Sequence, residues 1–226
     1  MILVHHLNNS RSQRILWLLE ELGLDYEVKR YERDPKTLFA PAELQAVHPI
    51  GKAPIIEDEG VVIAESGAII DYLVGRYGAV HPILTLLPAA NTEARLRYTY
   101  WLHYAEGSLM PFLFLALVFS RLPSTLPLLA RPVGKLISRA ALTGYVGSQL
   151  KRHLDYIDGE LARNGWFAGP DFTAADIQMS FPLEAAASRI GALDHPHIAD
   201  YLARIHDRPA YQHALLKGGT YAYAAD

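Results

Sequence analysis

The spacing of apolar residues changes once along this 226-residue chain, and that change limits the folds it can adopt. Up to residue 78, short strand-like runs alternate with runs at helical spacing. From residue 92 onward only helical spacing recurs, and no run indicates a strand. The sequence therefore predicts an α/β N-terminal domain followed by an all-α C-terminal domain.

The N-terminal pattern predicts a small four-stranded sheet. Ile2–His6 and Tyr26–Tyr31 are strand-like and flank a helical run, and a crossover of that length favours parallel pairing. Two further apolar runs flank the turn "DEG" within Pro54–Glu65, which predicts a hairpin, and another helix starts at Ser66. This order is typical of a thioredoxin-like domain, which we assign to residues 1–80.

A proline-containing linker over residues 81–91 precedes the helical domain at residues 92–226. The apolar run Leu109–Phe119 is shorter than the roughly 20 residues of a membrane-spanning helix, so we interpret it as a core helix. Membrane contact is the less favoured alternative, and the proline-rich segment 121–139 leaves a membrane-surface or partner-facing patch open. The predicted helices are Thr92–Phe119, Gly144–Arg163, Thr173–Ile190 and His197–Arg208.

Composition excludes several classes of function. The chain has no cysteine, so it can form no disulfide, thiolate metal site or cysteine nucleophile, and a reducing compartment fits. Its formal net charge is −3 without a basic block, which disfavours nucleic-acid binding. His5 and His6 are adjacent on a predicted strand and point to opposite faces, so we expect no metal site. The N-terminus lacks a signal-peptide pattern, and we expect a cytoplasmic protein.

Polar residues gather in three loops that the predicted topology brings to one end of the sheet. The loops contain Asn8–Ser12, Lys52–Pro54 and Glu65–Ser66. A helix N-terminus with a serine hydroxyl suits a carboxylate, although N-capping by Ser66 explains the same residues. The Ala53–Pro54 bond is a candidate for the cis isomer, but the sequence alone favours a trans turn.

These segments resemble the glutathione S-transferase family over essentially the whole chain. The pieces that carry the resemblance are "NNSRSQRILWLLEELGL", "HPIGKAPII", "ESGAIIDYL" and "FTAADIQMSF", the last with a capping-box-like Thr173 and Asp176. The resemblance implies glutathione as co-substrate, no metal and a homodimer. In the family, the residue at the position of Ala53 binds the peptide backbone of glutathione beside a cis-proline, here Pro54. Glu65 and Ser66 match positions that hold the γ-glutamyl end, and Lys52 matches one that often meets the glycyl carboxylate. His48 is a further candidate for that end.

By family position Ser10 is the catalytic residue, as in the serine-type classes such as theta and zeta. The thiol of glutathione has a pKa near 8.5 or somewhat above, and a hydroxyl donating to the sulfur at a helix N-terminus favours the thiolate. Asn9 and Ser12 are rivals for this role, and Arg11 could support the thiolate or reach a glutathione carboxylate. No tyrosine occupies the loop, which disfavours a tyrosine-type mechanism.

The expected activity is conjugation of glutathione to small hydrophobic electrophiles. Tyr104, Ser108 and Phe112 fall on one helical face at i, i+4, i+8 and could line the electrophile pocket, or belong to the core. Two alternatives remain open. The same fold serves as a non-catalytic glutathione-binding or interaction module, and the same thiolate could reduce peroxides or isomerise a substrate.

Overall fold

The N-terminal part contains the predicted mixed four-stranded sheet. The computed structural model describes residues 1–34, 36–37, 39–78, 85–191 and 194–224, so part of the predicted linker lies outside the described residues. The strands follow the order β2-β1-β3-β4; β1 and β2 are parallel, and the other neighbours are antiparallel. The elements are β1 (Ile2–Leu7), α1 (Ser12–Glu21), β2 (Tyr26–Tyr31), α2 (Ala42–Val47), β3 (Ile55–Asp58), β4 (Val61–Ala64) and α3 (Ser66–Tyr77).

From residue 93 onward, the described residues form helices joined by short turns. Thr92 caps the first of them, because its hydroxyl accepts from the Arg95 amide at 3.2 Å. The helices are α4 (Glu93–Tyr104), α5 (Met110–Thr125), α6 (Arg131–Thr143), α7 (Tyr145–Asn164), α8 (Ala174–Ile190), α9 (Pro196–His206) and α10 (Pro209–Gly218). A π-helical turn, Ala105–Leu109, joins α4 to α5, and a 3₁₀ turn, Leu128–Ala130, precedes α6.

Two helices, α6 and α10, were not predicted. Each has a proline, Pro132 or Pro209, in its first turn. A first-turn residue has no intrahelical partner for its amide, so proline is accepted there. In both places the proline therefore lies at the beginning of a helix and not in a loop.

The helical run that contains the apolar stretch is longer than the sequence suggested. Because the π turn joins α4 to α5, Glu93–Thr125 forms 33 residues of continuous helix, long and apolar enough to cross a membrane by length and composition alone. In its most apolar window, 39% of the residues are buried. Trp101, Leu109 and Leu113 on its inner side belong to the main core, as expected of a core helix.

One hydrophobic core runs through both parts of the chain. Helix α1 packs against α8 and α10, and α3 also contacts α8. Trp17 of α1 is fully buried, and its ring lies 5.7 Å from Phe172 and 5.2 Å from Tyr211. The core therefore fixes the position of α1, and of the loop that precedes it, relative to the helical part.

Candidate functional site

The strand register brings the three polar loops to one edge of the sheet. His5 of β1 lies opposite Ile55 of β3, and Ile55 lies opposite Ala64 of β4. The end of β1, the beginning of β3 and the end of β4 are therefore neighbours. Ala53 and Ala64 pack in one apolar cluster that includes Leu7, which confirms that these ends meet.

Ser10 lies immediately before α1 and is 4% exposed. Its Oγ accepts a hydrogen bond from the Ser12 amide at 3.2 Å and lies 2.7 Å from the Ser12 Oγ. The amide belongs to the first turn of α1, where the helix dipole favours negative charge. The Ser10 oxygen is therefore held by a helix N-terminus.

The partners of Ser12 determine which serine has a proton to donate. Burial and Arg30 lower the pKa of His6 to about 4, while a hydrogen bond to the Gly218 backbone opposes this, so the ring is neutral at neutral pH. A backbone carbonyl accepts the ring proton, which leaves the other nitrogen, Nδ1, as an acceptor. The Ser12 Oγ lies 2.9 Å from that Nδ1 and accepts from the Leu7 amide at 3.2 Å. Ser12 thus donates to His6, with the Leu7 carbonyl as a further acceptor 3.3 Å away, and the Ser10 hydroxyl in turn donates to the Ser12 Oγ at 2.7 Å. The Ser10 proton can turn from Ser12 to a ligand atom, because the Ser12 oxygen still accepts from the Leu7 amide.

The Ala53–Pro54 peptide bond is cis, so the trans turn favoured from sequence is wrong. Both isomers are accessible to an X-Pro bond, and the residue types alone do not choose between them.

Glu65, not Ser66, occupies the N-cap position of α3. Glu65 has φ 73° and makes no side-chain capping bond, so the predicted N-capping by Ser66 is wrong. Ser66 is the first helical residue and is 2% exposed. A left-handed φ at a non-glycine residue costs of order 1–3 kcal/mol and is typical of functional sites. Among the described residues, no group hydrogen-bonds to the Ser66 hydroxyl.

Lys52 and His48 lie near the cis bond. Lys52 is exposed and has no ion-pair partner within the described ranges. His48 is half-buried after α2, and its backbone carbonyl accepts from the Gly51 amide at 2.8 Å. Both side chains are free for a ligand as far as the described residues show.

Arg11 points to the helical part of the chain. Its Nε lies 2.9 and 2.8 Å from the two carboxylate oxygens of Glu106, which also pairs with the fully buried Arg14. Burial opposes ionisation of Glu106, but Arg14 and Arg11 lower its pKa below the ordinary value. Glu106 lies in the π-helical turn, a feature often found at functional sites. The sequence reasoning missed Glu106; an acid inside the aromatic and apolar run was the available signal.

Aromatic residues from α8 and from the C-terminal segment 219–224 lie beside Arg11. The Arg11 guanidinium lies 5.3 Å from the Phe181 ring, which lies 5.6 Å from Tyr223. Asn9 has φ 49°, and its Oδ1 accepts from the Ala222 amide at 2.7 Å. The loop before α1 is therefore bounded by Glu106, Phe181 and the C-terminal segment, and sequence spacing did not reveal Phe181 or Tyr223.

Tyr104, Ser108 and Phe112 do not lie on one regular helix, because the π turn separates Tyr104 from Phe112. Tyr104 is buried, and its hydroxyl hydrogen-bonds to His153 Nδ1. The Phe112 ring lies 5.2 Å from the His153 ring, and Ser108 is half-buried within the turn. Tyr104 and Phe112 therefore contact α7, whereas Glu106 is the π-turn residue that contacts Arg11.

The two adjacent histidines point to opposite sides of the sheet, as predicted. His5 hydrogen-bonds to Tyr31 Oη and Glu57 Oε1, each at 2.8 Å, whereas His6 faces Ser12. Among the residues that the structure describes, no group of three His, Cys, Asp or Glu side chains could hold a metal ion.

Comparison with known proteins identifies the family. Residues 1–75 match the family described as "Glutathione S-transferase, N-terminal domain", and residues 131–209 match "Glutathione S-transferase, C-terminal domain". The chain belongs to the glutathione S-transferase family. It is 38% identical over 219 residues to "Glutathione S-transferase 3" of Schizosaccharomyces pombe, covering 96% of this chain and 88% of the relative.

Other relatives broaden the range of activities in the family. A "Disulfide-bond oxidoreductase" of Escherichia coli K12 is 28% identical over 227 residues, with 96% of this chain and 95% of the relative covered. A glutathione S-transferase structure from Actinobacillus pleuropneumoniae superposes with a TM-score of 0.82 at 36% identity, covering 100% of this chain and 97% of that one. A Pseudomonas fluorescens family member "with two glutathione bound" gives 0.72 at 26% identity, covering 95% and 92%. The family membership and these matches confirm the predicted fold.

Proposed function

We propose that this chain is a glutathione transferase in which Ser10 stabilises the glutathione thiolate for attack on a small hydrophobic electrophile. The observation that carries the proposal is the bonding of the two serines. Ser12 donates to His6, whereas Ser10 accepts from the helix amide and donates to Ser12, and its proton turns from Ser12 to the sulfur when glutathione binds. A hydroxyl donor at a helix N-terminus favours the anionic sulfur over the thiol.

The glutathione molecule lies along the same sheet edge in this proposal. Its peptide backbone pairs with Ala53 beside cis-Pro54, and its γ-glutamyl carboxylate meets the free Ser66 hydroxyl and the α3 N-terminus. Glu65 accepts from the γ-glutamyl ammonium. Lys52, with His48 nearby, meets the glycyl carboxylate.

The electrophile binds between the Ser10 loop and the helical part. Phe181 and Tyr223 supply apolar surface there, and Glu106 holds Arg11 beside the reacting sulfur. Arg11 then acts by its charge near the thiolate, because its Nε is already engaged by Glu106. Tyr104 and Phe112, which contact His153 of α7, support this pocket from behind the π turn that carries Glu106 and Ser108. Asn9 sets its rim through Ala222.

The decisive experiment is a pH titration of bound glutathione followed by the ultraviolet absorbance of the thiolate. In the natural protein we expect the thiol pKa below its free value of about 8.5. Ser10→Ala returns it toward the free value while glutathione still binds. Ser12→Ala, the matched control, leaves the Ser10 hydroxyl in place, so the thiol pKa stays low. An unshifted pKa in the natural protein rejects thiolate stabilisation and supports the non-catalytic binding module.

A second candidate function is glutathione-dependent disulfide reduction, which the similarity to the oxidoreductase supports. The chain has no cysteine, so two glutathione molecules must supply both electrons and become oxidised glutathione as the disulfide is reduced to two thiols. Rates with a nitro-activated aryl chloride and with a small dialkyl disulfide distinguish the two activities. Peroxidase and isomerase activities belong in the same panel.

We also propose a cytoplasmic homodimer, on the basis of the family. Exposed apolar residues on the sheet edge and on α4 could serve the interface, namely Val61, Val62, Leu96 and Tyr100. Sedimentation equilibrium tests the dimer directly.

A further inference from the structure

Helix α6 and the 3₁₀ turn before it expose most of their large apolar side chains, although Leu142 near the end of α6 packs against the core. The side chains of Leu129, Val133, Leu136 and Ile137 recur at i, i+4, i+7, i+8, which places them on one face. Their exposed fractions are 96%, 60%, 70% and 49%, and Leu128 beside them is 74% exposed. We call these five residues the α6 apolar face. Contiguous exposed apolar residues of this kind mark interaction or membrane surfaces.

Small residues occupy the side of α6 that packs on the protein. Gly134 and Ser138 are the buried residues of this helix. A Cβ added to Gly134 would lie 2.5 Å from Leu126 Cδ1 and 3.4 Å from the Pro123 Cα, so the helix lies very close to the end of α5. The packing of α6 therefore uses its small residues and Leu142, and the α6 apolar face is left exposed.

The charge around this face is of one sign. Residues 107–154 contain no Asp or Glu, although the chain has 24 in total, and they include six Lys or Arg residues. Arg131, Lys135 and Arg139 form a stripe along α6, and all three are exposed. Within the described ranges, Lys135 and Arg139 have no ion-pair partner. The rest of the chain is acidic, so this segment, in which α6 packs on α5 and α7, is distinctly basic within a protein of net charge −3.

A second copy of the chain fits this surface poorly. A two-fold symmetric contact would place the same basic stripe opposite itself. With no acidic residue in the segment to compensate, like charges would face each other. An anionic lipid surface matches both features, because it accepts an apolar helix face at the headgroup level and attracts the flanking cations.

We propose that α6 and the preceding turn bind the surface of an anionic membrane, with the α6 apolar face inserted among the headgroups. The binding is peripheral. The sheet edge with Ser10 lies in the N-terminal part of the chain, so a bound enzyme can take apolar electrophiles that partition into the same membrane.

The test is flotation of the full-length protein with phosphatidylcholine vesicles, with and without phosphatidylserine. We expect binding to the anionic vesicles that weakens as salt is added. Leu129→Ser with Leu136→Ser lowers the partition coefficient by about tenfold or more, since both side chains leave the lipid. Leu216→Ser is the matched control, because Leu216 is 78% exposed on α10, and it leaves binding unchanged.

Charge variants test whether the basic residues of α6 attract the protein to anionic lipid. Lys135→Gln and Arg139→Gln each lower binding to anionic vesicles by about fivefold and leave binding to neutral vesicles unchanged. Lys36→Gln, an exposed lysine in the N-terminal part, serves as control.

Three results would overturn the proposal. The first is no flotation with anionic vesicles at low salt. The second is equal loss of binding in Leu216→Ser. The third is a change in molecular mass on sedimentation when Leu129 and Leu136 are replaced, which would mean that another copy covers the face. Thermal unfolding of each variant checks that it is folded.

Discussion

Helices α8 and α6 distribute polar and apolar residues in opposite ways. In α8, 13 of 17 residues are buried, and four of these are polar: Asp176, Gln178, Ser180 and Glu184. In α6, two of 13 residues are buried; Val133, Leu136 and Ile137 are exposed, whereas Leu142 packs against the core. Hydrophobicity alone therefore does not decide which residues of this protein are buried.

Hydrogen bonding explains why α8 tolerates buried polar residues. Asp176 accepts from the Phe167 amide at 2.9 Å and from the Thr173 amide and hydroxyl at 2.8 and 3.0 Å. Glu184 accepts from the hydroxyls of Tyr211 and Tyr221. Buried polar groups are stable when bonded in this way. The exposed apolar side chains of α6, by contrast, can form no hydrogen bonds, and we assign them to an external surface.

The largest expected effect is that of Asp176→Ala on stability. The substitution leaves two buried amides, at Phe167 and Thr173, without an acceptor and removes the capping box of α8. We expect the free energy of unfolding to fall by about 4 kcal/mol, measured by urea denaturation. Asp171→Ala, an exposed aspartate two residues before Thr173, should change it by less than about 0.5 kcal/mol. Equal effects would mean that the bonds of α8 do not govern its burial.

The second expected effect concerns the buried His6 at the site. Burial lowers its pKa to about 4 from the usual 6.5, so the unfolded chain binds more protons between these values. The contribution of His6 to the free energy of unfolding is fully present above about pH 6.5 and is lost as the pH falls toward 4. We expect the titration of His6 to lower the free energy of unfolding by about 3 kcal/mol at pH 4 relative to neutral pH.

His6→Asn isolates that contribution, because asparagine can accept from Ser12 but does not titrate. Urea denaturation at pH 7 and pH 4 gives the pH-dependent loss for each protein, and the fixed cost of the substitution cancels. The natural protein should lose about 3 kcal/mol more than the variant. The same loss in both would show that His6 is not held neutral, and the assignment of the Ser12 proton would fail with it.

Local patterns in the sequence predicted most of the fold. The four strands and the capping box of α8 follow from short-range residue choices, and the structure contains them. The π turn and helix α6 were missed for physical reasons. One extra residue per turn leaves little trace in apolar spacing, and the residue type of Pro132 does not by itself distinguish the first turn of α6 from a loop.

The candidate site was predictable only in part. The predicted topology placed Ser10, Pro54 and Ser66 at one sheet edge, because the order of strands and helices along the chain determines which strand ends are neighbours. The contact of Arg11 with Glu106 joins residues 95 positions apart, and no periodicity encodes such a pair. The roles of the three edge residues stay predictions until glutathione binding is measured.

The smallest expected effect is that of Leu136→Ser on stability, and it completes the comparison of the two helices. Leu136 is 70% exposed, so its removal from α6 should change the free energy of unfolding by less than about 0.5 kcal/mol. Leu183→Ala in α8 removes a fully buried side chain and should cost about 3 kcal/mol in the same urea measurement. A large loss from Leu136→Ser would mean that the α6 apolar face is buried within the protein in solution. A negligible loss means that these apolar side chains do not stabilise the monomer, as the membrane-binding proposal requires.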